Sequence, residues 1–270
     1  FVTANAWAIG YGETGELLWG EAADEARDIA STTKIMTAFT VLELTADDPS
    51  ALEEKLAYST RADETIGSTS AVRAGEQLSV REALYGLMLP SGNDASVALA
   101  AHFGAKLLAS GGDAEQADEA DPYQRFVDEM NRQAELLGMR NSHFENTHGL
   151  TAPEHKASAV DLMKLAAASM KHPLFREIVA TPRYGCTVTG PSGYQRNVVW
   201  RNTNRLLGIE GYDGVKTGTT NAAGACLVSH GERDGRSLFV VVLGSAASDS
   251  RYADTWNLFR WAWQQQEKGN

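Results

Sequence analysis

The sequence predicts an α+β fold, with an antiparallel sheet drawn from both ends of the chain and a mostly helical middle. Three observations predict it. Strand-like runs bounded by Gly-containing turns open the chain and return after about Thr181. Between them, segments carry apolar residues at helical spacing. The last strand then runs into an amphipathic helix rich in Trp and Phe, Tyr252 to Gln265.

Taken in order, Ala6 to Trp19 reads as two short strands around a Gly-rich turn, and a helix begins near Ser31 with Ile35, Ala38, Phe39 and Leu42 on its apolar face. Val80 to Leu89, Asp94 to Leu108, Tyr123 to Leu137 and Ala159 to Met170 follow as helices. The acidic, Gly-containing stretch Gly111 to Asp121 reads as a solvated loop. Val198 to Trp200, Gly214 to Thr217, Ala225 to Ser229 and Ser237 to Leu243 are strand candidates, the last two joined by the turn Glu232-Arg233-Asp234-Gly235 as a hairpin would be. One domain is expected, with a sheet lobe from residues 1–34 and 176–270, a helical lobe from 35–175, and a substrate crevice between them.

At 270 residues and 43% hydrophobic, the chain can bury its core without staples or metals. A formal charge of −11 argues against nucleic acid or anionic lipid as a main partner. Cys186 and Cys226 are too few for a zinc site. They read as two buried thiols, with one disulfide as the other reading. The histidines show no metal-ligand spacing and no His-Glu-x-x-His, so no metal or cofactor is expected. No apolar run reaches the roughly 20 residues that span a bilayer, so no membrane anchor is expected within these residues. The chain opens at Phe1 without a charged-then-apolar leader and reads as a mature or trimmed form.

Three short motifs carry chemistry. In Ser31-Thr32-Thr33-Lys34, the i and i+3 positions share a helix face, so the lysine can reach the serine oxygen. Free N–H groups at the helix start would favour developing negative charge. Ser91-Gly92-Asn93, after Leu87-Met88-Leu89-Pro90, makes a sharp turn between helices that can present a hydroxyl beside an amide. Lys216-Thr217-Gly218-Thr219 lies on a strand edge, where a cation and a hydroxyl can grip a carboxylate and Gly218 would clear room for a substrate backbone. Alone, each has a plainer reading: a capping Ser with a solvated Lys, a capped turn, an ordinary strand end. Their order, and the element under each, decide for chemistry.

The triplet Ser-x-x-Lys, Ser-x-Asn, Lys-Thr-Gly is the signature of penicillin-binding proteins and class A β-lactamases. From about Ala6 to Trp263 the chain resembles the low-molecular-mass penicillin-binding proteins, the D-alanyl-D-alanine carboxypeptidases. The flanks match too: Ile29-Ala30, Asp94-Ala95, His148-Gly149-Leu150, Asp213-Gly214-Val215 and Ala222-Ala223-Gly224. The resemblance implies a β-lactamase/DD-peptidase-like fold and an exported enzyme, in the periplasm or on the outer face of a bacterial membrane. Its partner would be the peptidoglycan stem peptide, with β-lactams as inhibitors.

By resemblance, Ser31 is the acylated nucleophile and Lys34 its base, neutral through burial and the charge of Lys216. Ser91 passes the proton to the departing D-Ala nitrogen, and Asn93 orients Lys34 and the substrate amide. Lys216 and Thr217 face the terminal carboxylate, with Arg251 adding charge nearby. The backbone N–H groups of Ser31 and Thr219 form the oxyanion hole. His148 shapes a loop instead of completing a triad, because Lys34 already holds the base role, and Asp161 either anchors that loop or is a first-turn helix Asp. Two departures stand out. Thr219 replaces the His or aromatic of many family carboxypeptidases, and the chain ends at Asn270, where many members continue into a β-rich domain and a membrane-binding tail. The rivals are a DD-endopeptidase, a β-lactamase (whose Glu-x-x-Leu-Asn motif is missing after Ser91) and a non-catalytic sensor module.

Overall fold

The computed structural model describes residues 2–110 and 121–268. The expected loop from Gly111 to Ala120 lies outside them. The elements run β1 (Ala6–Tyr11), β2 (Leu17–Glu21), a 3₁₀ turn (Ala30–Thr33), α1 (Lys34–Leu44), a second 3₁₀ turn (Pro49–Glu53), β3 (Lys55–Ala57), α2 (Thr60–Asp63) and β4 (Gln77–Ser79). Then come α3 (Val80–Met88), α4 (Asn93–Ser110), α5 (Pro122–Leu136), α6 (Ala159–Ser169), α7 (Pro173–Ala180), β5 (Arg183–Thr189) and β6 (Gln195–Arg201). A third 3₁₀ turn (Arg205–Gly208), β7 (Tyr212–Thr220), β8 (Gly224–Arg233), β9 (Arg236–Ser245) and α8 (Ser248–Lys268) complete the order.

The main sheet is antiparallel, in the order β2-β1-β9-β8-β7, so both ends of the chain do enter one sheet. Its β9 is apolar without interruption from Leu238 to Leu243 because both faces are covered there. Phe239, Val241 and Leu243 join the large core shared with α1 and α6, while Leu238, Val240 and Val242 pack with Leu258, Phe259 and Trp263 of α8. The β8–β9 hairpin closes on Asp234-Gly235, whose φ values of 52° and 72° suit a two-residue primed turn.

A second sheet corrects the expected lobes. Strands β5 and β6 leave the main sheet and join β3 and β4 in the order β3-β4-β5-β6. Residues 183–201 therefore belong with the helical middle, held there by Glu76, which accepts from Arg196 and from Tyr194 Oη, and by Trp200 Nε1 donating to Ser70 O. Strands of three residues, such as β3 and β4, carry too little pattern to be read from sequence.

Local signals start the helices. Ser79 and Glu82 make a reciprocal capping box for α3, Asp121 and Pro122 open α5, and Ser158 caps α6. The turn Leu89 to Gly92 stands between the end of α3 at Met88 and the start of α4 at Asn93.

Candidate active site

Ser31 does not sit in the α-helix. It lies in the 3₁₀ turn that feeds α1, and Lys34 is the first α-helical residue. In a 3₁₀ turn, residues i and i+3 eclipse. Lys34 Nζ accordingly comes within 3.0 Å of Ser31 Oγ. The same nitrogen meets Asn93 Oδ1 at 2.7 Å and His148 O at 2.8 Å.

Those partners determine how an uncharged Lys34 must point. An amide oxygen and a carbonyl oxygen can only accept. A neutral amine has two N–H bonds, which Asn93 and His148 take, so its lone pair faces the Ser31 hydroxyl. Burial is the main force for neutrality: Lys34 is 0% exposed, and its pKa is held well below the ordinary value by burial and then by the charge of Lys216, against the pull of Asp94. Lys216 is buried too, with a pKa pushed down to about 7 by burial and then by Arg251. Two lysines buried within range of each other cannot both hold a charge cheaply.

Two loops supply the acceptors. Asn93 opens α4, and its Nδ2 donates to Ile66 O at 2.6 Å, so the amide end expected to meet substrate is engaged by the 66–68 segment. The buried Asp94 carboxylate ties Ser70 N and Thr69 Oγ1, pinning that segment. On the other side, Thr37 Oγ1 donates to Thr147 O, and Thr147 Oγ1 donates to Ser96 Oγ, which donates to Asn93 O. One buried chain of hydroxyls thus links both acceptors of Lys34. Thr147 carried no local signal beyond its place before His148.

Ser91, at φ 67°, occupies the left-handed region, and its buried Oγ has no hydrogen-bond partner within the protein. From the far wall, Thr203 N donates to Leu89 O while Thr203 Oγ1 bonds Thr217 Oγ1 at 2.7 Å, connecting the turn before Ser91 to β7. Sequence reading missed Thr203, which lies in a turn with no motif.

Strand β7 is the open edge of the main sheet. Gly218 is where that edge touches the nucleophile turn: a Cβ there would lie 2.8 Å from Ser31 N and 3.0 Å from Ile29 O. Gly218 thus clears space for the Ser31 turn. Lys216 Nζ lies 3.1 Å from Thr217 O, and Thr219 is exposed at the strand end. Arg251 is buried, with Nη1 donating to Gly218 O, Thr219 Oγ1 and Cys226 O. It clamps β7 from behind.

His148 is half-buried. Burial, then Lys34, pushes its pKa down to about 3, and its Nδ1 accepts from Leu150 N. The site uses its carbonyl. Asp161 does not anchor that loop: its carboxylate accepts from Asn141 N, Ser142 Oγ and Lys164 Nζ, because the cap at Ser158 directs α6 toward the 138–142 turn. Cys186 and Cys226 are free buried thiols on different sheets. Among the described residues no His, Cys, Asp and Glu cluster suited to a metal occurs, and no helix is long and apolar enough to cross a membrane.

A Ser-Lys pair at a helix start, an amide-bearing turn and a cationic edge strand together define an active-serine hydrolase of the DD-peptidase fold. The family model of D-alanyl-D-alanine carboxypeptidases matches residues 1–247, and the chain belongs to that family. It is 37% identical to the D-alanyl-D-alanine carboxypeptidase of Streptomyces sp. strain K15, over 89% of this chain and 80% of that one. It is 32% identical to the carboxypeptidase DacF of Bacillus subtilis, over 94% of this chain and 61% of the relative. It is also 31% identical to a D-alanyl-D-alanine endopeptidase of Escherichia coli, over 92% and 73%. The crystal structure of the Streptomyces K15 DD-transpeptidase superposes with a TM-score of 0.87 at 32% identity, covering 98% of both chains.

Proposed function

We propose that this chain is a serine D-alanyl-D-alanine carboxypeptidase that removes the terminal D-Ala from peptidoglycan stem peptides through an acyl-serine intermediate. The observation that carries it is Lys34 Nζ, buried, 3.0 Å from Ser31 Oγ, with its other hydrogen-bonding directions used by two obligate acceptors. The substrate lies along the open edge of β7, with its carboxylate toward Lys216 and Thr217. Ser31 Oγ attacks the carbonyl carbon as its proton passes to Lys34. The carbonyl oxygen becomes an oxyanion facing the N–H groups of Ser31 and Thr219. As the C–N bond breaks, the unpaired hydroxyl of Ser91 relays the proton to the departing amine. Water then attacks the ester and frees Ser31. A β-lactam acylates the same oxygen, with the opened ring still attached.

Arg251 acts through β7 and through its charge on Lys216, since its Nη1 is spent on the strand. Such a substrate puts the enzyme outside the cytoplasm, in the periplasm or on the outer face of the membrane. The names of the relatives divide over whether water or an amine receives the acyl group and whether the bond is terminal or in a cross-link. The pair at Ser31 serves all of these.

Fluorescent penicillin with mass spectrometry tests the reading. Label on Ser31, lost in Ser31→Ala, is expected. Folded protein that takes no label would refute it. Release of free D-Ala from a pentapeptide, without cleavage of purified cross-linked muropeptides, separates carboxypeptidase from endopeptidase.

A further inference from the structure

His155 is buried and takes no part in the chemistry above. Its ring meets two neighbours. The backbone N–H of Glu145 points at Nδ1 at 3.0 Å, and Thr33 Oγ1 lies 2.7 Å from Nε2. An amide N–H can only donate, so Nδ1 is the lone-pair nitrogen and the proton sits on Nε2. Thr33 Oγ1 in turn lies 2.8 Å from Ala30 O, which can only accept. The hydroxyl proton therefore goes to Ala30 O, and the hydroxyl oxygen accepts from His155. Every bond in the chain Glu145 N–H, His155, Thr33, Ala30 O has one allowed direction. Burial, the largest influence, pushes the His155 pKa down to about 4, in keeping with an uncharged ring.

Ala30 O belongs to the peptide unit whose other end is the Ser31 N–H. A trans peptide is planar, with C=O and N–H opposed, so fixing one fixes the direction of the other. Ala30 is itself at φ 49°, a conformation that a side-chain-bearing residue holds only when its surroundings impose it. Gly149 leaves the room: a Cβ on it would fall 1.9 Å from Ala30 O.

We infer that His155 is a positioning residue for the oxyanion hole, acting through Thr33 and Ala30 O to aim the Ser31 N–H. The inference rests on the proposed acyl-serine reading. Thr33→Val removes the hydroxyl and keeps the shape, and Thr33→Ser restores it. His155→Phe removes the donor and keeps a ring.

The acylation rate constant and the non-covalent dissociation constant for a penicillin are measured separately, beside the inhibition constant of a boronic acid analogue of the D-Ala terminus, whose oxygen would enter the oxyanion hole. Thermal melts select the folded variants. Removing an oxyanion-hole donor outright costs about 10²–10³-fold, so mis-aiming one is expected to cost about 10- to 100-fold in acylation. The boronate should lose affinity in parallel while non-covalent binding holds. Thr33→Ser should recover most of the loss, and His155→Phe with Thr33→Val should be little worse than the more damaging single change. Wild-type acylation by folded Thr33→Val, losses confined to non-covalent binding, or losses that multiply in the double variant would each overturn the inference while the acyl-serine reading stands. A wild-type protein that takes no label on Ser31 would overturn both.

Discussion

Lys34 meets an amide oxygen, a carbonyl oxygen and a hydroxyl, and only the hydroxyl can give it a proton. Its usefulness as a base depends on remaining uncharged, while Lys216 must be charged to hold a carboxylate. The pH profile should report both. The kcat/KM for a D-Ala-D-Ala peptide falls on the acid side as Lys34 gains its proton, and falls on the alkaline side as Lys216 loses its proton near about 7 in the free enzyme. Because Arg251 is the second cause lowering the Lys216 pKa, Arg251→Leu should move the alkaline limb to higher pH. An alkaline limb that stays where it was would show that another group sets it. Ser31, Lys34, Asn93 and Lys216 were legible as residues because their spacing is local or their motif fixed. Thr147, Thr203 and His155 were not, since the side-chain partners of each lie ten or more residues away along the chain.

Elements place those residues. The 3₁₀ turn brings serine and lysine together more directly than the expected α-helix would, and β7 presses its open edge on that turn at Gly218. Gly218→Ala should therefore push strand and turn apart by tenths of an ångström, since the new Cβ meets backbone at 2.8 Å. We expect acylation by penicillin to drop by about 10-fold or more, with a folded protein, because small displacements of reacting groups are costly. Acylation at the wild-type rate would show that the turn can yield. The sequence located β1, β2, β6, β7, β8 and β9 through strand-like runs and turn chemistry, and α1, α3, α4, α5, α6 and α8 through their apolar faces. It missed β3, β4 and α2, which are too short for a period to show, and also β5 and α7, where no run was singled out.

At the scale of the molecule, the two sheets do different work. The main sheet carries β7, and the small sheet holds the segment from Ile66 to Glu76 behind Asn93. Glu76 is the tie. Its carboxyl is held down at about 2, below its ordinary 4.5, by hydrogen bonds from Arg196 first and by backbone and Tyr194 donors. A depressed carboxylate pKa gives stability that is present above 4.5 and lost as pH falls toward about 2. Glu76→Gln should cost on the order of 2 kcal/mol in urea unfolding at pH 7, with the gap to wild type closing as pH falls toward 2. A gap that does not change with pH would mean that shape, and not charge, is what Glu76 supplies.

By itself the sequence determined the fold class, the shared main sheet and the residues of the three motifs, because helix and strand periods, caps, turns and short-range spacing are all written within a few residues of each other. The tertiary structure alone decided three things: that residues 183–201 belong to a second sheet, that Gly218 faces the nucleophile turn, and that Asp161 serves the 138–142 turn. It also decided which oxygens surround Lys34 and which ring stands behind Ser31. Hydrogen-bond direction and burial depend on groups distant along the chain arriving at one point, and no local pattern encodes that arrival.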